Sequence, residues 1–138
     1  MDLKLKGKVA LVTGGARDVG RAIALTLAAE GAAVAVNYRS SVDAAQAVVE
    51  MIKTRDGRAM ACQADIANYD AVTAMVSEVV GTFGGLNVLV NNAGLAVRRR
   101  FGETAPAEWQ RQIDVCLYGA IHCCHAAAPH LEDRKSVV

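Results

Sequence analysis

The sequence predicts an α/β domain, a doubly wound parallel sheet with helices on both faces. Three observations predict it. Strand-like and helix-like periods alternate along the 138 residues with short connections, which calls for crossovers and parallel strands. The first two strand-like runs are continuously apolar, as in strands covered on both faces. A glycine-rich turn joins the first of these runs to the first helical stretch. Composition agrees, since 53% of residues are hydrophobic but only 4% aromatic, giving an aliphatic, alanine-rich core suited to helices on a parallel sheet.

Val9–Val12 is the first strand, and the turn Thr13-Gly14-Gly15 follows it. The first helix runs Val19–Glu30, with Val19, Ile23 and Leu27 at i, i+4, i+8 on one face, and Gly31 stops it. Val34–Asn37 is a short second strand. Ser41 caps the next helix, whose stripe runs through Ala44, Val48, Met51 and Ile52. Arg58–Ala64 reads as a third, less hydrophobic strand. Asn68 to Phe83 is helical with Val72, Met75, Val76, Val79 and Val80 inward, and Gly84-Gly85 ends it. Leu86–Val90 is the fourth strand. Pro106 opens a short helix around Glu108, Trp109 and Ile113, and a long helix follows to about Leu131. Ser136-Val137-Val138 reads as the opening of a fifth strand, cut off. A glycine turn after the first strand puts that strand at the centre, with expected order 3-2-1-4 and a fifth beyond. No linker, repeat or low-complexity segment appears, so residues 1–138 read as one incomplete domain. Later elements would cover the fourth strand and long helix, so the chain by itself is expected to be poorly soluble.

A formal net charge of +1 gives no field that would draw nucleic acid or an acidic membrane surface. The N-terminus MDLKLKGK carries no apolar signal region, and no run approaches membrane-spanning length, so a cytoplasmic protein is expected. Cys62, Cys116, Cys123 and Cys124 are expected to be free, buried thiols.

The turn itself names a ligand class. A buried strand, a tight glycine turn and a helix N-terminus at Val19-Gly20 offer backbone N–H groups to a pyrophosphate. A second motif, Asn91-Asn92-Ala93-Gly94, lies at the end of the fourth strand. Together TGGARDVG, Asp65 after the third strand and NNAG resemble the short-chain dehydrogenase/reductase family, near its 3-oxoacyl-(acyl carrier protein) reductase-like members. The resemblance runs from Lys8 to the last residue and implies a Rossmann-type NAD(P)-binding domain, truncated at the start of the fifth strand. It implies that Gly14 and Gly20 let the backbone approach the dinucleotide, with Thr13 bracing the turn and Val19 opening the helix. Asp65 would contact the adenine and Ile66 would follow with a backbone contact. Asn92, Ala93 and Gly94 would line the ribose and nicotinamide side. Asn91 has two readings, a tie between neighbouring strands or a ligand contact.

Asp18 stands where the family's middle glycine belongs. A carboxylate about 5 Å from a phosphate costs roughly 3 kcal/mol at an effective dielectric near 20. An acid in the first turn stabilises the empty helix by only about 0.3–1 kcal/mol. Asp18 is therefore expected to face solvent, with Arg17 and Arg21 as candidate partners, and cofactor binding is expected to survive in weakened form.

An NAD site of this fold needs an acid about 20 residues past the glycines. This chain reads Asn37-Tyr38-Arg39-Ser40 there, and its first acid is Asp43 inside the next helix. Arg39 and Ser40 instead form a phosphate-reading pair, with Arg17 reaching the same corner. NADP(H) is favoured over NAD.

No catalytic residue is assigned. Reduction of a carbonyl needs an acid for the nascent alkoxide, which in the resembled family is a Tyr-x-x-x-Lys pair helped by a Ser and an Asn. Tyr38 is followed four residues on by Val42, Tyr69 by Thr73 and Tyr118 by His122. Ser136 precedes the fifth strand instead of ending it. Val115-Cys116-Leu117-Tyr118-Gly119 aligns with the family's Val-Asn-Leu-x-Gly, so Cys116 holds the Asn position and is expected to be a buried packing thiol. His122-Cys123-Cys124-His125 is not a metal site, because adjacent helical residues diverge by about 100°. Cys124 is placed on an apolar stripe with Ile113, Leu117, Ala120, Ala127 and Leu131, facing core or a subunit interface. Trp109 anchors its short helix. Arg98-Arg99-Arg100 is a solvated basic loop, or an attractor for a phosphate-bearing acyl carrier or coenzyme A.

The reading is the cofactor-binding part of an NADP-dependent oxidoreductase acting on a carbonyl/alcohol substrate, carrier- or CoA-linked in its sharper form. The full-length form is expected to be a homo-oligomer, and the 138 residues alone are expected not to turn over. The alternative is a catalytically inactive dinucleotide-binding or interaction module. A methyltransferase-like relative is disfavoured by the missing acid after the second strand.

Overall fold

A computed structural model describes residues 2–131. Four parallel strands alternate with helices: β1 (Val9–Val12), α1 (Asp18–Ala29), β2 (Ala33–Tyr38), α2 (Val42–Lys53), β3 (Ala59–Gln63), α3 (Tyr69–Phe83) and β4 (Val88–Val90). A 3-10 turn (Phe101–Glu103) then leads into α4 (Pro106–Ile113) and α5 (Gly119–Leu131), which are joined without a break by a π turn at Asp114–Tyr118. The strand order is β3-β2-β1-β4, as expected, and the fifth strand expected at 136–138 lies outside the described residues.

Period-two alternation sorts the core into two layers. Val9 and Leu11 of β1 and Ala33 and Ala35 of β2 face Val72, Met75, Val79, Cys123 and Ala127 of α3 and α5. Val12, Val34 and Val36 face the other way, onto Ala24 of α1 and Ala45, Val48 and Ile52 of α2. Register pairs Val12 with Val36 and with Val90, so β1 and β4 end level with one another while β2 runs on to Tyr38. That shared edge positions the site.

Helix ends follow local chemistry. Asn68 caps α3 by accepting from the Ala71 N–H at 3.1 Å, and Gly84 at φ +86° closes it. Ser41 holds the N-cap position of α2, but its side chain makes no cap bond, contrary to expectation.

Three faces differ from the sequence reading. Val19 is 67% exposed, because α1 packs on the sheet through Gly20 and Ala24. On the last helix the inward positions are Val115, Gly119, Cys123 and Ala127, while Ile113, Leu117 and Cys124 are exposed. The reason is steric: a Cβ at Gly119 would lie 2.6 Å from Ile66 Cδ1, so a larger residue there would displace the Ile66 side chain, and the glycine's register turns the larger side chains outward. Of the four cysteines expected to be buried, Cys62 and Cys123 are, and Cys116 and Cys124 are exposed.

Candidate dinucleotide cleft

The C-terminal strand ends open into one cleft of about 490 Å³, within the usual range for ligand sites. It lies where the chain path reverses about β1, since β2 and β3 lie to one side and β4 to the other. Every candidate cofactor residue comes to this cleft. Gly14, Arg17, Val19 and Gly20 reach it from the turn after β1, and Arg39 and Ser40 from the end of β2. Asp65 and Ile66 reach it from the end of β3, and Asn92, Ala93 and Gly94 from the end of β4.

A buried polar frame holds the turn. Thr13 is fully buried, and its Oγ1 accepts the Asn92 and Ala93 N–H groups at 3.0 Å each while donating to the Val90 carbonyl at 3.3 Å. Asn92 Nδ2 donates back to the carbonyls of Thr13 (3.0 Å) and Gly14 (3.2 Å). Asn92, not Asn91, therefore ties β4 to β1. Asn91 is exposed and donates instead to Cys124 Sγ at 3.3 Å. From β2, buried Asn37 accepts the Gly14 N–H at 3.2 Å and donates to the carbonyls of Cys62 and Ala64. The sequence reading missed this role, although an asparagine closing an apolar strand was its signal. Two glycines are obligatory here. Gly14 has φ +60°, and a Cβ on Gly20 would sit 2.2 Å from the Gly14 carbonyl oxygen, so α1 comes up beneath the turn only through glycine.

The residues fit a doubly phosphorylated nucleotide. The first N–H groups of a helix have no partner within it, and in α1 the Arg17 side chain supplies no cap. The residues that carry those amides, Asp18, Val19 and Gly20, line the cleft together with Arg17 and Arg39. Asp18 also adds an opposing charge. It is exposed with φ +49°, a left-handed conformation that explains why glycine suits the position. The ion pairs among the described residues do not include Asp18, and Arg21 contacts Met51 Sδ instead. Asp18 thus faces solvent as expected, but without the anticipated arginine partner.

Asp65 carries a further surprise. Its Oδ2 pairs with Arg111 Nη2 at 2.9 Å, and its Oδ1 accepts the Ala67 N–H at 3.0 Å. Partial burial is the largest single influence on its carboxyl and pushes it up. The Ala67 bond, the Arg111 bond and charge, and the Arg39 charge together outweigh it, holding Asp65 below the usual carboxylate value. Arg111 itself lines the cleft and was not anticipated, because its partner is 46 residues away in sequence.

The sequence model of the short chain dehydrogenase family matches residues 8–137. The chain belongs to that family. It is 46% identical over 129 residues to the 3-oxoacyl-(acyl-carrier-protein) reductase FabG of Staphylococcus aureus, covering 94% of this chain and 52% of the relative. It is 40% identical over 131 residues to 3beta-hydroxysteroid dehydrogenase 1 of Eggerthella lenta, covering 95% and 50%. A solved short chain dehydrogenase from Burkholderia cenocepacia, in complex with NADP, matches with a TM-score of 0.89 at 45% identity, covering 92% of this chain and 52% of that one. The chain spans about half the length of the curated relatives it matches. Among the described residues no helix is long and apolar enough to cross a membrane.

At the position read as this family's asparagine, Cys116 is exposed and not a packing thiol. Its Sγ lies 3.4 Å from the Leu95 N–H and 3.3 Å from the Leu95 carbonyl, so it holds the loop after β4. The four residues 122–125 diverge. His122 Nδ1 bonds the Ile66 carbonyl at 2.8 Å, Cys123 is buried, Cys124 meets Asn91, and His125 Nδ1 bonds the Tyr69 hydroxyl at 2.8 Å. Trp109 does anchor its helix, donating to Thr104 Oγ1 at 2.7 Å and stacking on Phe101. Arg98, Arg99 and Arg100 are exposed, and Arg99 is paired with Glu108.

Proposed function

We propose that this chain is the cofactor-binding part of an NADP-dependent oxidoreductase that interconverts a carbonyl and an alcohol. One observation carries the reading: uncapped amides of α1, Arg17, Arg39 and Ser40 share a cleft, and β2 ends without an acid. A nicotinamide dinucleotide, when bound, supplies or takes up a hydride. The chain's own residues bind and orient it. The α1 amides, Gly14 and Gly20 would take the pyrophosphate, and Arg39, Ser40 and Arg17 the ribose phosphate. Asp65 and Ile66 would wall the adenine, and Asn92, Ala93 and Gly94 the nicotinamide side. The NADP-bound Burkholderia structure and the reductase relatives support this reading. The proposal extends to a cytoplasmic protein, a carrier- or CoA-linked substrate drawn by Arg98–Arg100, and a homo-oligomeric full-length form.

Calorimetric titration with NADPH and NADH tests it. NADPH should bind the more tightly, and equal affinities, or no binding of either, would refute it. The 138-residue chain alone should not reduce a carbonyl with NADPH, since its tyrosines lack a lysine four residues on. Cys116 favours the second reading, an inactive binding module, because a thiol stands at the position read as the family's asparagine. Extending the chain through a Ser-bearing strand and a Tyr-x-x-x-Lys pair should give turnover under the first reading and none under the second.

A further inference from the structure

We infer that His122 is a positioning residue for the nucleotide, acting through the backbone of Ile66. The inference rests on the cleft being a dinucleotide site. The turn at Asp65–Ile66 forms one wall of that cleft, and the α4–α5 segment grips it at three points. Arg111 holds the Asp65 carboxylate at 2.9 Å. Gly119 packs so closely on Ile66 that a Cβ there would displace the Ile66 side chain. His122, one turn further along α5, bonds the Ile66 carbonyl at 2.8 Å.

A carbonyl oxygen only accepts, so His122 Nδ1 carries the proton and donates. Ile66 has its side chain buried against Gly119 and its carbonyl fixed by His122, which sets the peptide plane at the cleft wall. The imidazole is only partly buried and also packs edge-on to Tyr69, with ring centroids 5.5 Å apart. Packing alone would therefore be served by any ring. The donor is what reaches the nucleotide wall.

The two roles separate by substitution. His122→Phe keeps a ring and loses the donor. His122→Asn loses the ring and keeps an N–H at the same distance along the side chain. His122→Leu loses both. Binding to the 138-residue chain is measured with NADPH, adenosine 2′,5′-bisphosphate and nicotinamide mononucleotide, alongside amide exchange of residues 66–68. The Phe and Leu variants should weaken NADPH and the bisphosphate by the same factor, about threefold to tenfold, and leave the mononucleotide unchanged. The Asn variant should bind within about twofold of the unaltered chain, and exchange at 66–68 should rise only where the donor is gone. Phe binding as well as the unaltered chain would overturn the inference, as would Asn weakening as much as Leu, or a matching loss of the mononucleotide. If the unaltered chain binds neither NADPH nor the bisphosphate, the dinucleotide reading fails and takes this inference with it. If it binds both and the Phe variant is silent, only the inference fails.

Discussion

Replacing Asp18 separates its charge from its backbone conformation. Asp18 shares the cleft rim with the α1 amides and carries φ +49°, and it faces solvent with no ion-pair partner among the described residues. At about 5 Å from a phosphate, the repulsion is roughly 3 kcal/mol at an effective dielectric of 20 and about 0.8 kcal/mol in bulk water. Exposure places Asp18 near the water limit, so about 1 kcal/mol is expected, close to fivefold in affinity. Both Asp18→Gly and Asp18→Asn should therefore tighten NADPH binding about fivefold at low salt, with the gain shrinking as salt is raised. Stability should hardly move. Asp18→Gly relieves a left-handed residue but loses a first-turn acid worth about 0.3–1 kcal/mol and gains chain entropy in the unfolded state. Calorimetry at two ionic strengths with a urea melt of each variant checks both statements. Affinities within twofold of the parent for both variants at low salt would show that the charge is not felt at the phosphate. A gain for Gly but not for Asn would assign the effect to the backbone instead.

Four further outcomes are expected. Arg39→Ala should cut the preference for NADPH over NADH by about tenfold, the low end for a guanidinium–phosphate bond because Arg39 is exposed; an unchanged ratio counts against its role. Asn37→Leu should cost roughly 3 kcal/mol or more in a urea melt, since it strands the Gly14 N–H and the Cys62 and Ala64 carbonyls in the interior. Asp65→Asn should be less stable than the parent at pH 7, and the gap should close in acid. Folding holds the Asp65 carboxyl below its ordinary value of 3.8, so its contribution is present above that pH and is lost as pH falls through the folded value. Thiol titration of the native chain should show fast reaction at exposed Cys116 and Cys124. Cys62, pushed up to about 12 by burial and then by Glu78, and Cys123, pushed up to about 11 by burial and then by Cys124, should react only on unfolding.

The sequence was most legible where a residue's role follows from its immediate neighbours. Apolar continuity placed Val9–Val12 and its helix-flanked successors, and the glycines marked the turn that lines the cleft. Helix faces were less legible. Hydrophobicity favoured Ile113, Leu117 and Cys124 as inward, but contact with Ile66 forces Gly119 inside and Cys123 follows it in the same register. Asn91 and Asn92 are equivalent as letters, and only the position of Thr13 across the sheet makes Asn92 the tie.

By itself, then, the chain determined its layer order, its glycine turn and which segments meet at the strand ends, because periodicity and turn chemistry act over a few neighbouring residues. Tertiary structure alone decided that Arg111 holds Asp65, that Asn37 anchors Gly14 and that His122 reaches Ile66. Each of those contacts joins residues 23 to 56 positions apart. Their partners are chosen by how helices settle on the sheet, and no local pattern carries that information.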